Sequence, residues 1–306
     1  MIKKHYFIVV TLAGSPTQLL GAAVQAYTLR HCAPPHNLNG VPHVPIPHYV
    51  FQTPSDLPMS RVFEQAFAEL GSHVVRLGGD ATRNPWAYKI DAIRAVDAEH
   101  VLFLDCDSYP MMDPRGLLNH PGYVQHGAMF WRDFATRHAD VPGDIARTQY
   151  AAAGIEHPPR SAVEFESGQM LFRPDTVASA LDQMSAYMEE WRRLFSVFHG
   201  DKDLWRMAWL KTKTPIVLAS PDIGIVLDEH YNGRVIKHEV CMGGEAWPAF
   251  QHWCNAKLGF HGCYWHPDLG YRVINAYEKV REMLVKLGNF TEPTTDAHES
   301  EQCCLV

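Results

Sequence analysis

Apolar positions in this chain fall into short blocks of two periodicities, and their alternation predicts the architecture. Compact β-rich runs over 6–11, 48–52, 73–77, 101–104 and 127–131 read as strands, whereas 17–30, 60–70 and 84–96 space their apolar residues as helices do. Ala13, Gly14, Ser15 and Pro16 break the first strand, Ser60 caps the second helix before Gly71 closes it, and Asn84-Pro85 opens the third. A β-α-β-α-β order of this kind is the Rossmann-like half of an α/β fold. Residues 32–47, rich in Pro, His and Asn, read as a surface loop. Residues 136–161, with Gly143, Gly154 and Pro158-Pro159, lack periodicity and read as a mobile or acceptor-side insertion. Beyond them come a strand over 164–172, a long helix over 175–195 capped by Asp175, and a helix over 204–211. Shorter strands follow at 216–219, 223–227 and 235–238, then segments at 247–254 and 257–262 and a final helix over 271–287. Residues 289–306 are polar and acidic and are expected to be a disordered tail, leaving one domain over 1–288.

Composition narrows the partners. A chain of 306 residues, 46% hydrophobic, can bury a full core and is long for one domain without requiring two. Its net charge of −7 comes without any basic cluster, which argues against a surface that tracks nucleic-acid phosphates. Small molecules or glycans are the expected partners. No apolar run approaches the roughly 20 residues of a membrane span, and 6–12 is too short for a signal sequence, so a soluble, cytoplasmic protein is expected. The seven cysteines show no zinc-ligand spacing and suit reduced thiols better than a disulfide framework. His36, His43 and His48 carry little weight as metal ligands in a chain with 18 histidines.

The run 101–104 is apolar on both pleat faces, as befits a strand covered on both sides, and it delivers the chain into Asp105 and Asp107. Two acids at a strand's carboxyl edge are costly unless something positive sits between them. A hard Mn²⁺ or Mg²⁺ carrying a diphosphate meets that need, although a bare Asp-x-Asp is also found as a plain acidic turn. Lys89 lies on the helix before this strand, where it either reaches a donor phosphate or is simply solvated. The chain has no GxGxxG and no Walker lysine, so neither a dinucleotide fold nor a P-loop is indicated. Gly168, inside a strand, marks a close approach by a ligand or another backbone. Asp201 and Asp203 flank a helix start, where acids also serve as N-caps.

Taken jointly, Lys89, VLFLDCDSYPMMDP, HGAMFWRDF, EFESGQMLF and HGDKDLWRMAW, over about 84–211, resemble the fungal Golgi α-mannosyltransferases that form α-1,2 and α-1,3 linkages. More distantly the chain is similar to glycogenin and the lipopolysaccharide galactosyltransferases. The resemblance implies a GT-A fold, a mixed α/β sheet flanked by helices. It also implies a retaining, metal-dependent transfer of a hexose from GDP-mannose or a UDP-sugar to a glycan or glycoprotein hydroxyl. Carried onto this sequence, it makes Asp105 and Asp107 metal ligands, with Cys106 between them in the donor-binding turn, and Lys89 a donor contact. Thr11 and Ala13 would meet the base and ribose, and Glu166, Ser167 and Gly168 the donor sugar. Asp201 and Asp203 would stand nearest the anomeric carbon, and His261 would complete the metal shell. There are departures. The fungal enzymes carry a membrane anchor and stem, whereas this chain begins at its first strand, so Golgi residence is not implied. Distant relatives follow their metal histidine with Gly and a diphosphate-binding Lys, whereas His261 is followed by Gly262-Cys263-Tyr264, which leaves His266 as the alternative. Beyond residue 212 no match is seen. Two other readings stay open: a haloacid-dehalogenase-type phosphatase, whose Asp-x-Asp would follow the first strand, and a catalytically silent sugar-nucleotide binding protein.

Overall fold

The structure, a computed structural model, describes residues 5–31, 45–133, 143–156, 164–198, 200–221, 225–230, 233–254, 270–288 and 290. The N-terminal half contains β1 (His5–Leu12), α1 (Pro16–His31), β2 (His48–Gln52), α2 (Arg61–Glu69), β3 (Ser72–Arg76), α3 (Tyr88–Arg94) and β4 (Ala98–Leu104). There follow β5 (Ser108–Pro110), α4 (Pro121–His126), β6 (Ala128–Arg132), α5 (Gly143–Ala152) and β7 (Phe165–Phe172). The remainder comprises α6 (Ala178–Glu189), α7 (Trp191–Leu194), α8 (Lys202–Thr212), β8 (Val217–Leu218), β9 (Ile225–His230), β10 (Gly233–Met242), β11 (Glu245–Cys254) and α9 (Gly270–Leu287). Seven strands form one mixed sheet in the order β3-β2-β1-β4-β7-β6-β8, in which β1 to β4 run parallel and β7 runs antiparallel to both neighbours. A second, antiparallel sheet has the order β5-β11-β10-β9.

Strand β4 shows why 101–104 has no polar face. Val101 and Phe103 pack into a cluster with Ile90 and Ile93 of α3, Leu181 and Met184 of α6, and Trp205 and Trp209 of α8. Leu102 and Leu104 enter a different cluster, with Leu171 of β7 and Ala249 and Phe250 of β11. Both faces are covered, so each apolar side chain is removed from water, worth roughly 1.5–3 kcal/mol for a fully buried one. A third cluster joins α1, α2 and α9 to Val50 of β2, Tyr109 of β5 and Trp253 of β11.

Several expectations are corrected. Ser108–Pro110, given no element of its own from the sequence, is a strand of the second sheet, which the local sequence does not announce because its partner β11 is far away in the chain. The stretch 136–161 contains the helix α5, held to the core by Tyr150 and Ala153, whose carbonyl accepts the Tyr187 hydroxyl at 2.7 Å. The expected helix over 175–195 starts after Val177 rather than at Asp175 and breaks at Glu190, where φ −96 and ψ 17 leave the helical basin. Strands β10 and β11 are longer than expected and form one hairpin, turning at Gly243 and Gly244 with φ +63 and +85. Two consecutive left-handed residues are what a type I′ hairpin turn requires, and glycine adopts them without steric cost. Phe290 packs against α2, its ring meeting Phe63 edge-on at 6.0 Å. Among the described residues no helix is long and apolar enough to cross a membrane.

Candidate active site

The Asp105-Cys106-Asp107 turn is the crossing point between the two sheets, since β4 ends in the large one and β5 begins in the small one. Each acid is tied to a different sheet. The Asp105 amide donates to the Gly168 carbonyl of β7 at 2.8 Å, and the Trp253 amide of β11 donates to the Asp107 carbonyl at 2.9 Å. Helix α1 closes the turn from below. The Gln25 side-chain amide donates to the carbonyls of Asp105 at 3.0 Å and Ser108 at 2.7 Å. One helical turn earlier, Gly21 lies so close that a Cβ there would stand 2.4 Å from the Cys106 carbonyl. The Gln25 oxygen accepts the Thr11 hydroxyl and lies 3.2 Å from His48 Nε2, while His48 Nδ1 is 2.9 Å from the Ser72 hydroxyl. Burial, reinforced by His73, lowers the His48 pKa to about 3, so His48 is a neutral member of this network. Thr11 and Ala13 are both 0% exposed, with Thr11 spent on the network and Ala13 packed among α1 and α2, so neither side chain reaches the surface.

Lys89, expected on a helix face of uncertain exposure, is buried. Its Nζ lies 3.1 Å from an oxygen of Asp105 and 3.1 Å from Asp201 Oδ2. Burial works against its charge, but the carboxylates of Asp105 and Asp201 outweigh that and raise its pKa. Asp201 precedes α8 without capping it, because Oδ2 instead takes Lys89 and the Trp205 indole N–H at 3.1 Å. Asp203 diverges from Asp201: it faces Arg206 at 3.7 Å, and Arg206 lies 3.6 Å from Glu164. Asp105 and Asp201 thus share one lysine, with Asp107 beside Asp105 in the turn. Burial first, and the charges of Asp107 and Asp201 next, hold the Asp105 carboxyl above the usual range against the pull of Lys89.

His252, on β11 opposite Ser108, was not expected from the sequence. Its Nε2 lies 3.6 Å from Asp107 Oδ1, and its ring rests against Gly168, where a Cβ would come within 3.2 Å of Cε1. The glycine inside β7 therefore makes room for this ring. Carboxylates of Asp107 and Glu166 raise the His252 pKa against the effect of burial. Beside it, burial and then His252 lower His238 to about 3. Burial pushes Glu166 up to about 7; Asp133 adds to the rise, and His252 and Lys202 oppose it. Lys202, the first residue of α8, is paired with Asp133. Asp133 lies inside the HGAMFWRDF block but was given no role there, and no local signal marks His238. His261, His266, His36 and His43 lie outside the described residues. The donor set fits a hard divalent cation, since Asp107 Oδ1 is buried without a hydrogen-bond partner and carboxylates outnumber the lysine.

A family model described as "Mannosyltransferase putative" matches residues 72–244, more than half of the chain. The chain belongs to this family. The part of this mannosyltransferase family member that the model matches holds Lys89, Asp105, Asp107, Glu166, Asp201 and Asp203, and ends before His252. Among solved structures it is similar to the galactosyltransferase LgtC in complex with donor and acceptor sugar analogues, at 14% identity and TM-score 0.53, covering 94% of this chain and 98% of that one. Mouse xyloside xylosyltransferase 1, apo form, matches at 12% identity and TM-score 0.42, covering 70% and 84%. No curated protein matches by sequence. The fold is GT-A, a mixed α/β sheet flanked by helices, and family membership supports glycosyl transfer, a reading the phosphatase alternative does not share.

Proposed function

We propose that this family member is a metal-dependent retaining hexosyltransferase, forming an α-linkage to a glycan or glycoprotein hydroxyl, as the fungal α-1,2/α-1,3-mannosyltransferases do. GDP-mannose is the first donor to test, ahead of UDP-linked galactose, glucose or xylose. The observation that carries the proposal is that, at the end of β4, Lys89 joins Asp105 to Asp201 while Asp107, two positions on, faces His252. Asp105, Asp107 and His252 would hold Mn²⁺ or Mg²⁺, with His252 taking the role expected of His261. Such a cation, when bound, neutralises the departing diphosphate as a Lewis acid.

Lys89 adds a second positive charge on the leaving-group side. Asp201 supplies the negative charge that an oxocarbenium-like C1 needs, either as nucleophile or as a preorganised electrostatic partner. Its contacts with Lys89 and Trp205 hold that carboxylate in place before substrate arrives, so little reorganisation is needed. Glu166, Ser167 and Gly168 line the sugar side from β7, and Cys106 offers its backbone in the turn. Thr11 and Ala13 would meet the base only through backbone atoms. The domain proposed to carry the reaction spans 1–290, with a dispensable tail beyond.

The test is turnover of a panel of GDP- and UDP-sugars with Mn²⁺, with detection of released nucleotide and NMR of the product's anomeric proton. An α-linked product from an α-linked donor is expected. A β-linked product would overturn the retaining mechanism. Phosphate release without transfer would favour the phosphatase, and donor binding without turnover the silent binder.

A further inference from the structure

Where β7 passes the β10–β11 hairpin, three buried metal-ligating side chains meet. Glu166, His238 and His252 are 8%, 1% and 6% exposed, and each brings one donor atom within 4.8 Å of the other two. The register explains the histidines. Ile236 pairs with His252 and His238 with Phe250, so the two rings are diagonal neighbours on one face of the hairpin, with centroids 6.0 Å apart. Neither His238 Nε2 nor His252 Nδ1 has a hydrogen-bond partner among the described residues. An unsatisfied buried polar atom costs on the order of 1–3 kcal/mol, so two in one cluster point to a ligand.

We propose that Glu166, His238 and His252 form a binding site of their own for a borderline-soft divalent ion such as Zn²⁺, apart from the cation held at Asp105 and Asp107. Two imidazoles and one carboxylate suit Zn²⁺ or Co²⁺, whereas a pair of aspartates suits the harder ions. Donors bound tetrahedrally to one ion at about 2.1 Å stand roughly 3.4 Å apart, so side-chain movements on the order of 1 Å close the site. Asp133, which hydrogen-bonds Glu166 and is itself paired with Lys202, orients the carboxylate from behind. The site shares His252 with the proposed catalytic cation, because Nε2 of that ring also faces Asp107 at 3.6 Å. An ion held by the trio draws His252 away, so Zn²⁺ opposes activation by Mn²⁺. That consequence rests on the transferase reading, and binding itself does not.

The test titrates the full chain with Co²⁺, following its visible d–d absorption, and then displaces it with Zn²⁺. In the wild type one Co²⁺ is expected to give the absorption of a nitrogen-ligated, low-coordinate ion. Asp105→Asn is expected to keep that spectrum while losing Mn²⁺-dependent turnover. His238→Gln is expected to weaken Co²⁺ and Zn²⁺ binding by at least about tenfold, keep turnover with Mn²⁺, and escape inhibition by Zn²⁺. Circular dichroism melting establishes that His238→Gln folds, and Glu166→Gln, of nearly equal volume, is expected to lose the same spectrum. A spectrum lost in Asp105→Asn would mean a single ion centred on the aspartates and would overturn the proposal. So would a spectrum unchanged in both His238→Gln and Glu166→Gln. If the wild type turns over no sugar nucleotide but binds Co²⁺ as described, the transferase reading fails and the metal site stands.

Discussion

Asp201 and Asp203 stand two positions apart, yet the structure gives them different neighbours. Asp201 shares Lys89 with Asp105, whereas Asp203 turns to Arg206. Asp201→Asn is therefore expected to lower kcat by about 10²–10³-fold with donor affinity little changed, the pattern of a group that acts in the transition state. Asp203→Asn should lower kcat by less than about tenfold, and steady-state kinetics on both variants would show an equal loss if this distinction is wrong. His252→Ala should weaken Mn²⁺ binding by about 10–100-fold, measured by calorimetry. If His261→Ala does so and His252→Ala does not, the histidine assigned to the cation is the wrong one.

At the scale of elements, the contact between α1 and the Asp-x-Asp turn controls the geometry of the acids. Gly21 permits an approach that any side chain would block, and the Gln25 amide fixes two carbonyls of the turn. Alanine is favoured over glycine inside a helix by about 1 kcal/mol, so on propensity alone Gly21→Ala would stabilise α1. Here a Cβ 2.4 Å from the Cys106 carbonyl must push helix and turn apart, and the expected result is a lower Tm and at least about tenfold weaker Mn²⁺ binding. A higher Tm with unchanged affinity would show that the turn is not held this way. The β10–β11 hairpin plays the matching part on the other side. Its turn at Gly243 and Gly244 sets the register that brings His252 opposite Ser108.

For the whole molecule, acid sensitivity follows from histidines folded in neutral form. His48 titrates near 3 in the fold against an ordinary 6.5, so its contribution to stability is complete above about 6.5. As pH falls from there toward 3, the unfolded chain takes up a proton that the folded one refuses, and stability drops by up to roughly 1.4 kcal/mol per pH unit. Thermal melts between pH 7 and 4.5 should show this fall, with a shallower slope in His48→Gln; equal slopes would contradict the assignment. The C-terminal boundary is tested by truncation. Removing everything from Thr291 should leave Tm and activity nearly unchanged, whereas removing Phe290 as well loses its contact with Phe63 and should lower Tm by a few degrees.

What the amino-acid sequence determined by itself is whatever local periodicity and chemistry encode. The doubly apolar run of β4 required cover on both faces, and the pair Asp105 and Asp107 had to sit at its carboxyl end. Lys89, Glu166-Ser167-Gly168 and Asp201 were legible as a set because their order and spacing follow a family pattern. Only the tertiary structure decided which of them meet. Ser108 pairs with His252 across more than 140 positions of chain, and no short-range pattern registers such a pairing, so the joining of these strands into a second sheet, and the part of its histidine, stayed invisible. Thr11 had the right place in the chain for a nucleotide contact but spends its hydroxyl on Gln25, a partner supplied by helix packing. The roles of Asp201, Lys202 and Asp203 diverge for the same reason. Successive residues at a helix start point in different directions, and what lies in each direction is set by strands far away in the sequence.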